Sequence, residues 1–227
     1  MSEAHQDLSE HGAQWVRADF HPHTRNDKEF RYDGEEERFV ASYVDALGAA
    51  GTRLAVITNH NKFDLDEFKA LRARKSVIGV LPGVELSVKD GANGVHTLVV
   101  FSDDWLADGQ DYINQFVGVA FAGRVPAQYE QENGRSNDDL VDTLKKLECY
   151  NRDFFIIFAH VEANGGLWKE ISGGRMGELA AEPLIQKYAL GFQKVRTHDK
   201  PDAVCRTKVK GWWHEHYPAE VEGSDAK

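Results

Sequence analysis

Six short β-rich runs, most of them separated by helix-like segments, constrain the fold of this chain more than any other feature. They are "WVRADF" (15–20), "RLAVIT" (53–58), "VIGVLPGVEL" (77–86), "VHTLVVF" (95–101), "FFIIFA" (154–159) and "LGFQKVR" (190–196), with a shorter seventh expected at "PAEVEG" (218–223). Segment 35–51 places Phe39, Tyr43, Val44 and Leu47 on one helical face and stops at Gly51. Segment 64–75 opens with an Asp cap and an acidic first turn, and 136–148 aligns Leu140, Leu144 and Leu147. A further helix is expected over 203–213, and "KDGANGV" (89–95) reads as a Gly-rich turn between two strands. Such alternation predicts a parallel α/β architecture. A chain of 227 residues with this many repeats fits a (β/α) barrel better than an open sheet. A dinucleotide-binding fold would need G-x-G-x-x-G after the first strand, where this sequence has "HPHTRND".

The polar residues fall in a pattern. "WVRADF" leads into His21 and His23, "RLAVIT" into Asn59 and His60, "VIGVLPGV" into Glu85, "FFIIFA" into His160 and the last run into Asp225, while "VHTLVVF" carries His96. Residues two apart on a strand point to one side, so His21 and His23 are expected to converge. In a β/α barrel the functional side chains come from the C-terminal ends of several strands. Scattered packing histidines have no reason to keep that rule. A histidine and carboxylate set of this kind suits Zn, Mn or Fe rather than Ca.

Composition narrows the function classes. The formal net charge of −10 argues against a broad basic nucleic-acid surface. The sequence has no apolar run long enough for a membrane span, and its polar start "MSEAHQDLSEHG" does not read as a signal peptide. Two cysteines, Cys149 and Cys205, provide no disulfide framework, are expected to pack, and fit a cytoplasmic setting. In "WWHEHY" (212–217) both tryptophans are expected to pack inward and the histidines to point apart.

The motifs "DFHPHT" (19–24), "ITNHN" (57–61), "GVEL" (83–86), "VHTLVVF" (95–101), "FAHVEANGGL" (158–167) and "EGSDA" (222–226) resemble, in order, those of the polymerase and histidinol phosphatase (PHP) family. The longer strings "ITNHNKFDLDEFKAL", "LPGVELSV" and "AEVEGSDAK" are similar to the subgroup in which a PHP domain precedes an ABC- or SMC-type ATPase, as in TrlF-like proteins. The resemblance implies a distorted (β/α)7 barrel over residues 15–227, after a polar tail at 1–14, in a fragment of a longer chain with a C-terminal ATPase. It also implies a metal-dependent phosphoesterase. His21, His23, Glu85 and Asp225 would hold one divalent ion, and Glu85 would bridge to a second held by His96 and His160. His60 is the family's match for a third ligand site and is also the expected catalytic side chain. Asn59 stands where the family has an acid, Lys227 where it has a histidine, and Asp27 or Glu29 could supply the ligand expected after His-x-His. Arg196, in "KVRTHDK", and Lys227 are candidates to grip phosphate, and His198 is a weaker candidate acid. Expected partners are a nucleic-acid substrate and an ATPase domain or subunit, in an antiviral-defence or DNA-repair setting, with no membrane. A small-molecule phosphatase and a non-catalytic module are the competing readings.

Overall fold

In the computed structural model, which describes residues 15–74, 76, 78–131, 133–194 and 203–225, seven strands lie side by side in chain order. They are β1 (Arg17–Asp19), β2 (Thr52–Ile57), β3 (Gly79–Val88), β4 (Val95–Phe101), β5 (Phe154–Phe158), β6 (Ala189–Lys194) and β7 (Ala219–Glu222). The sheet curls until its ends almost meet. The backbone N–H of Ser224, just past β7, donates to Asp19 Oδ1 of β1 at 3.1 Å, and the Ser224 hydroxyl donates to the His21 carbonyl at 3.5 Å. The fold is therefore a nearly closed, PHP-like barrel.

The parallel α/β architecture holds with one antiparallel exception. β1–β2–β3 and β5–β6–β7 are parallel, but β4 runs antiparallel to both of its neighbours. The cause is the turn read at 89–95. A parallel return needs a crossover of roughly a dozen residues or more, and this connection is far too short. Gly91 (φ +69°) and Gly94 (φ +91°) take up its left-handed backbone positions. The reversal brings His96, near the start of β4, to the rim where the parallel strands end.

Alternation divides the strands between two cores. Val84, Leu86 and Val88 of β3, Val95 and Val99 of β4, and Ile156 and Phe158 of β5 join the large outer cluster beneath the helices. Leu98, Ile157 and Ala159, with Phe20, Phe155 and Val221 against them, form a separate small plug. Leu98 shares its face with His96, and Glu85 is in register with Leu98. The polar cluster thus sits on the inner face, directly above an apolar plug.

Outside run α1 (Phe39–Ala49), α2 (Leu65–Ala73), α3 (Tyr112–Ala120), α4 (Pro126–Tyr129), α5 (Leu140–Glu148), α6 (Leu167–Glu170), α7 (Gly173–Ala181), α8 (Pro183–Tyr188) and α9 (Ala203–Trp213). Asp64 caps α2 by accepting the Glu67 N–H at 2.9 Å, and Asp139 caps α5 through Asp142 at 2.9 Å. Leu140, Leu144 and Leu147 are all buried as their spacing predicts. Each contributes roughly 1.5–3 kcal/mol through removal from water. Two packing expectations fail. Trp213 is buried, but its neighbour Trp212 is 37% exposed, because consecutive helical residues cannot share one face. Cys149 follows α5 at the surface and is exposed, whereas Cys205 packs partly against the core. Among the described residues no helix is long and apolar enough to cross a membrane.

Candidate metal centre

His21 and His23 leave β1 on an extended segment that continues the ladder, with the Thr58 N–H donating to the Pro22 carbonyl at 3.1 Å. Both imidazoles are fully buried, with ring centroids 5.0 Å apart, as the His-x-His spacing implies. The Tyr43 hydroxyl of α1 donates to the His23 carbonyl at 2.8 Å and fixes this segment from the outside. His60 lies just beyond β2 and makes a parallel bridge with Glu85. His160 follows β5 in a left-handed conformation (φ +27°), and Asp225 follows β7 at φ +43°.

Glu85, fully buried, is the hub. Its Oε2 faces Nε2 of His21 at 2.8 Å, of His60 at 3.1 Å and of His23 at 3.4 Å. Its Oε1 faces His96 Nδ1 at 2.8 Å and His160 Nε2 at 3.3 Å. One carboxylate therefore presents separate oxygens to two groups of imidazoles. Asp225 Oδ1 approaches the first group, 3.5 Å from His23 Nε2 and 3.9 Å from His21 Nε2.

The sequence left Asp27 and Glu29 as alternatives, and of the two Asp27 joins the histidine cluster. Its Oδ2 lies 2.9 Å from Nδ1 of both His23 and His60 and accepts the His60 backbone N–H at 2.7 Å. Glu29 belongs to no metal-capable group among the described residues. Asn59, one of the polar residues that follow β2, serves as a latch. Its Oδ1 accepts the Thr24 N–H at 2.8 Å, and its amide donates to Thr24 Oγ1 at 2.9 Å. Thr24 in turn donates to buried Glu67, whose other oxygen accepts from Arg25 Nε at 3.0 Å. Arg196, His198 and Lys227 lie outside the described residues.

Gln193 carried no sequence signal beyond being a polar residue in the apolar strand "LGFQKV". Fully buried on β6, it places Oε1 2.7 Å from His21 Nδ1 and accepts the His160 backbone N–H at 3.2 Å. Gly223 allows this approach, since a Cβ there would lie 2.5 Å from Gln193 Nε2. An acceptor on Nδ1 selects, in the neutral ring, the tautomer with its proton there and leaves Nε2 turned towards Glu85. Gln193→Leu is therefore expected to weaken divalent-metal affinity by roughly 10–100-fold with little change in circular dichroism. Competition against a chromogenic chelator measures this, and an unchanged affinity would show that Gln193 does not orient His21.

Three overlapping trios bring their donor atoms within 4.8 Å of one another: His21–His23–Glu85, His23–Asp27–His60 and His60–Glu85–His96. Among the described residues, His23 Nε2 and His60 Nε2 are buried and have no hydrogen-bond partner. Buried polar atoms without partners are rare in folded proteins, and a cation between these nitrogens and Glu85 would satisfy them. The donor set of these three trios thus fits a divalent ion.

The electrostatics are those of a charged cluster kept dry. Burial opposes a proton on His23, but Asp225, Asp27 and Glu85 outweigh it and raise its pKa to about 9. At 3.5 Å, Asp225 acts on His23 more as a charge than as a hydrogen-bond acceptor. Burial would raise the Asp27 carboxyl, yet its hydrogen bonds to His23 and His60 and their charges hold it far below the usual range. Burial is likewise overcome at Glu85 by the charges of His21 and His60 and by hydrogen bonds from His160 and His21. Glu67 goes the other way, with burial raising it against Thr24 and Arg25.

The site is thus a buried histidine and carboxylate cluster at one rim of a distorted barrel. A solved structure from Bifidobacterium adolescentis, provisionally assigned as a metal-dependent phosphoesterase, shares the fold with a TM-score of 0.56. The match covers 92% of this chain and 86% of that one at 13% identity. No protein-family model and no curated protein matches the sequence.

Proposed function

We propose that the chain is a metal-dependent phosphoesterase that hydrolyses phosphodiesters of nucleic acid. The observation that carries this reading is Glu85, with one oxygen towards His21, His23 and His60 and the other towards His96 and His160. The shared fold with a provisionally assigned phosphoesterase supports it. Divalent cations bound there would acidify a water and neutralise charge on the phosphoryl oxygens. Glu85 contributes the negative charge common to both halves of the site. Asp27 accepts from Nδ1 of His60 and from its backbone N–H, so a neutral His60 keeps its proton on Nδ1 and turns its Nε2 lone pair towards Glu85. That tautomer suits His60 to hold a cation better than to donate a proton. Arg196 and Lys227 are proposed to grip the phosphate, and an ATPase domain or subunit to deliver the nucleic acid.

The net charge of −10 favours a second reading, a phosphatase of small monoesters. Protein reconstituted with Mn or Zn decides between them. Hydrolysis of bis(p-nitrophenyl) phosphate and cleavage of single-stranded DNA, both abolished by chelation, are the expected results. Turnover of p-nitrophenyl phosphate alone would move the assignment to the monoesterase, and inertness towards all three in metal-loaded protein would sink both.

A further inference from the structure

A cavity of about 300 Å³ lies beside the proposed centre, lined by Asn93, His96, Asn133, Asn164 and Gly165. That is the lower end of the volumes that hold small organic ligands. His96 connects the two places. Its Nδ1 is 2.8 Å from Glu85 Oε1, while its other ring edge faces the cavity wall, where a side chain on Gly165 would come within 2.9 Å of Cδ2. One imidazole ring therefore separates the cavity from Glu85.

The walls are built rather than incidental. The Glu170 carboxylate accepts from Asn93 N, Asn93 Nδ2 and Gly165 N, each at 3.1 Å, and so joins the 92–94 turn to the 163–166 loop. The Gly165 carbonyl accepts the His96 N–H at 2.8 Å, which ties the second loop to β4. On the remaining side Asn61, fully buried, donates to the carbonyls of Tyr129 at 2.8 Å, Gln131 at 3.1 Å and Gly134 at 2.8 Å. It thereby fixes the loop that carries Asn133.

The lining chemistry is selective. Apart from His96, no ionisable side chain lines the cavity among the described residues. Among the described residues it also presents no aromatic or aliphatic side chain to an apolar group. It does present primary amides. Those of Asn133 and Asn164 have no hydrogen-bond partner among the described residues. A primary amide carries an acceptor and a donor side by side, the pattern that pairs with the edge of a nucleobase.

We propose that this cavity is the subsite for the nucleoside part of the ester, with Asn133 and Asn164 reading its uncharged donors and acceptors. The inference rests on the phosphoesterase reading for its role in catalysis, but the binding can be tested without it. Saturation-transfer NMR with thymidine, an uncharged probe, is expected to show contact with the wild-type protein and a loss of contact in the Asn133→Leu/Asn164→Leu variant. Both positions are exposed and make no side-chain hydrogen bonds among the described residues, so the variant should fold. In metal-loaded protein, kcat/KM for thymidine 5′-(p-nitrophenyl phosphate) relative to methyl p-nitrophenyl phosphate should fall about tenfold in the variant, as expected for two lost hydrogen bonds. Absent or unaltered thymidine contact overturns the proposal, as does equal contact with methyl glucoside. Thymidine contact without hydrolysis of either ester would refute the phosphoesterase reading and leave the nucleoside subsite standing.

Discussion

Glu85→Gln should strip the protein of tightly bound divalent metal. The substitution keeps the shape of the side chain and removes its charge. Glu85 is fully buried and faces five imidazoles, three through Oε2 and two through Oε1. A neutral amide can offer one oxygen to one group and must turn an NH2 towards the other, where it meets ring nitrogens instead of a cation. Removing one partner from a buried charged cluster costs about 3–5 kcal/mol, which converts to a loss of affinity on the order of 10²- to 10⁴-fold. Mass-spectrometric metal content after dialysis against a weak chelator reads this directly. If Glu85→Gln retains the metal load of the wild type, the carboxylate does not bridge the site and the proposed centre fails with it. Asp27→Asn tests a narrower point, because the imidazoles that Asp27 meets are those of His23 and His60. Its effect should be smaller and confined to that side.

The residues differ in how openly the sequence declared them. Glu85 was legible because it is a lone carboxylate in the apolar run "VLPGVELSV", and period-two alternation turns it inward while Val84, Leu86 and Val88 pack outward. His21 and His23 were legible by spacing. His96 was found, but for an incomplete reason. The strand-end rule assumes parallel strands, and β4 obeys it only because a short turn reverses the chain. Asp27 stayed ambiguous because it lies in an irregular segment, where spacing does not fix direction. Its role emerges from the packing of β2 against the His-x-His segment. Asn59 looked like a lost ligand and is a backbone latch, a distinction that depends on where Thr24 comes to rest. Gln193 was invisible for the same reason. Its partner is 172 residues away, and only barrel closure brings the two together.

Metal binding and stability should respond to pH in a coupled way, and the sign follows from His23. In the metal-free protein this histidine keeps its proton up to about pH 9, against an ordinary value of 6.5. A group whose pKa is raised by folding stabilises the folded state fully below the unfolded value, and that contribution is lost as pH rises through the folded one. The His23 contribution is therefore complete below pH 6.5 and gone above about pH 9. Asp27 and Glu85 are depressed, so their contributions hold above their ordinary values of 3.8 and 4.5 and are lost only as pH falls below them. Between pH 6.5 and 9 the metal-free protein should thus lose stability from this cluster through His23. A cation must displace the same proton, so its affinity should rise over the same interval, by up to about tenfold per pH unit for one proton released. Between pH 6 and pH 9 that amounts to as much as about a thousandfold. The thermal shift produced by Mn should consequently be larger at pH 8.5 than at pH 6.5, because the metal-free reference weakens while the metal binds more tightly. Calorimetric titration at pH 7.5 in two buffers of different ionisation enthalpy should register close to one proton released per cation bound at His23. Equal thermal shifts at the two pH values, together with no proton release, would mean that His23 is not displaced and that the cation, if bound, is held elsewhere.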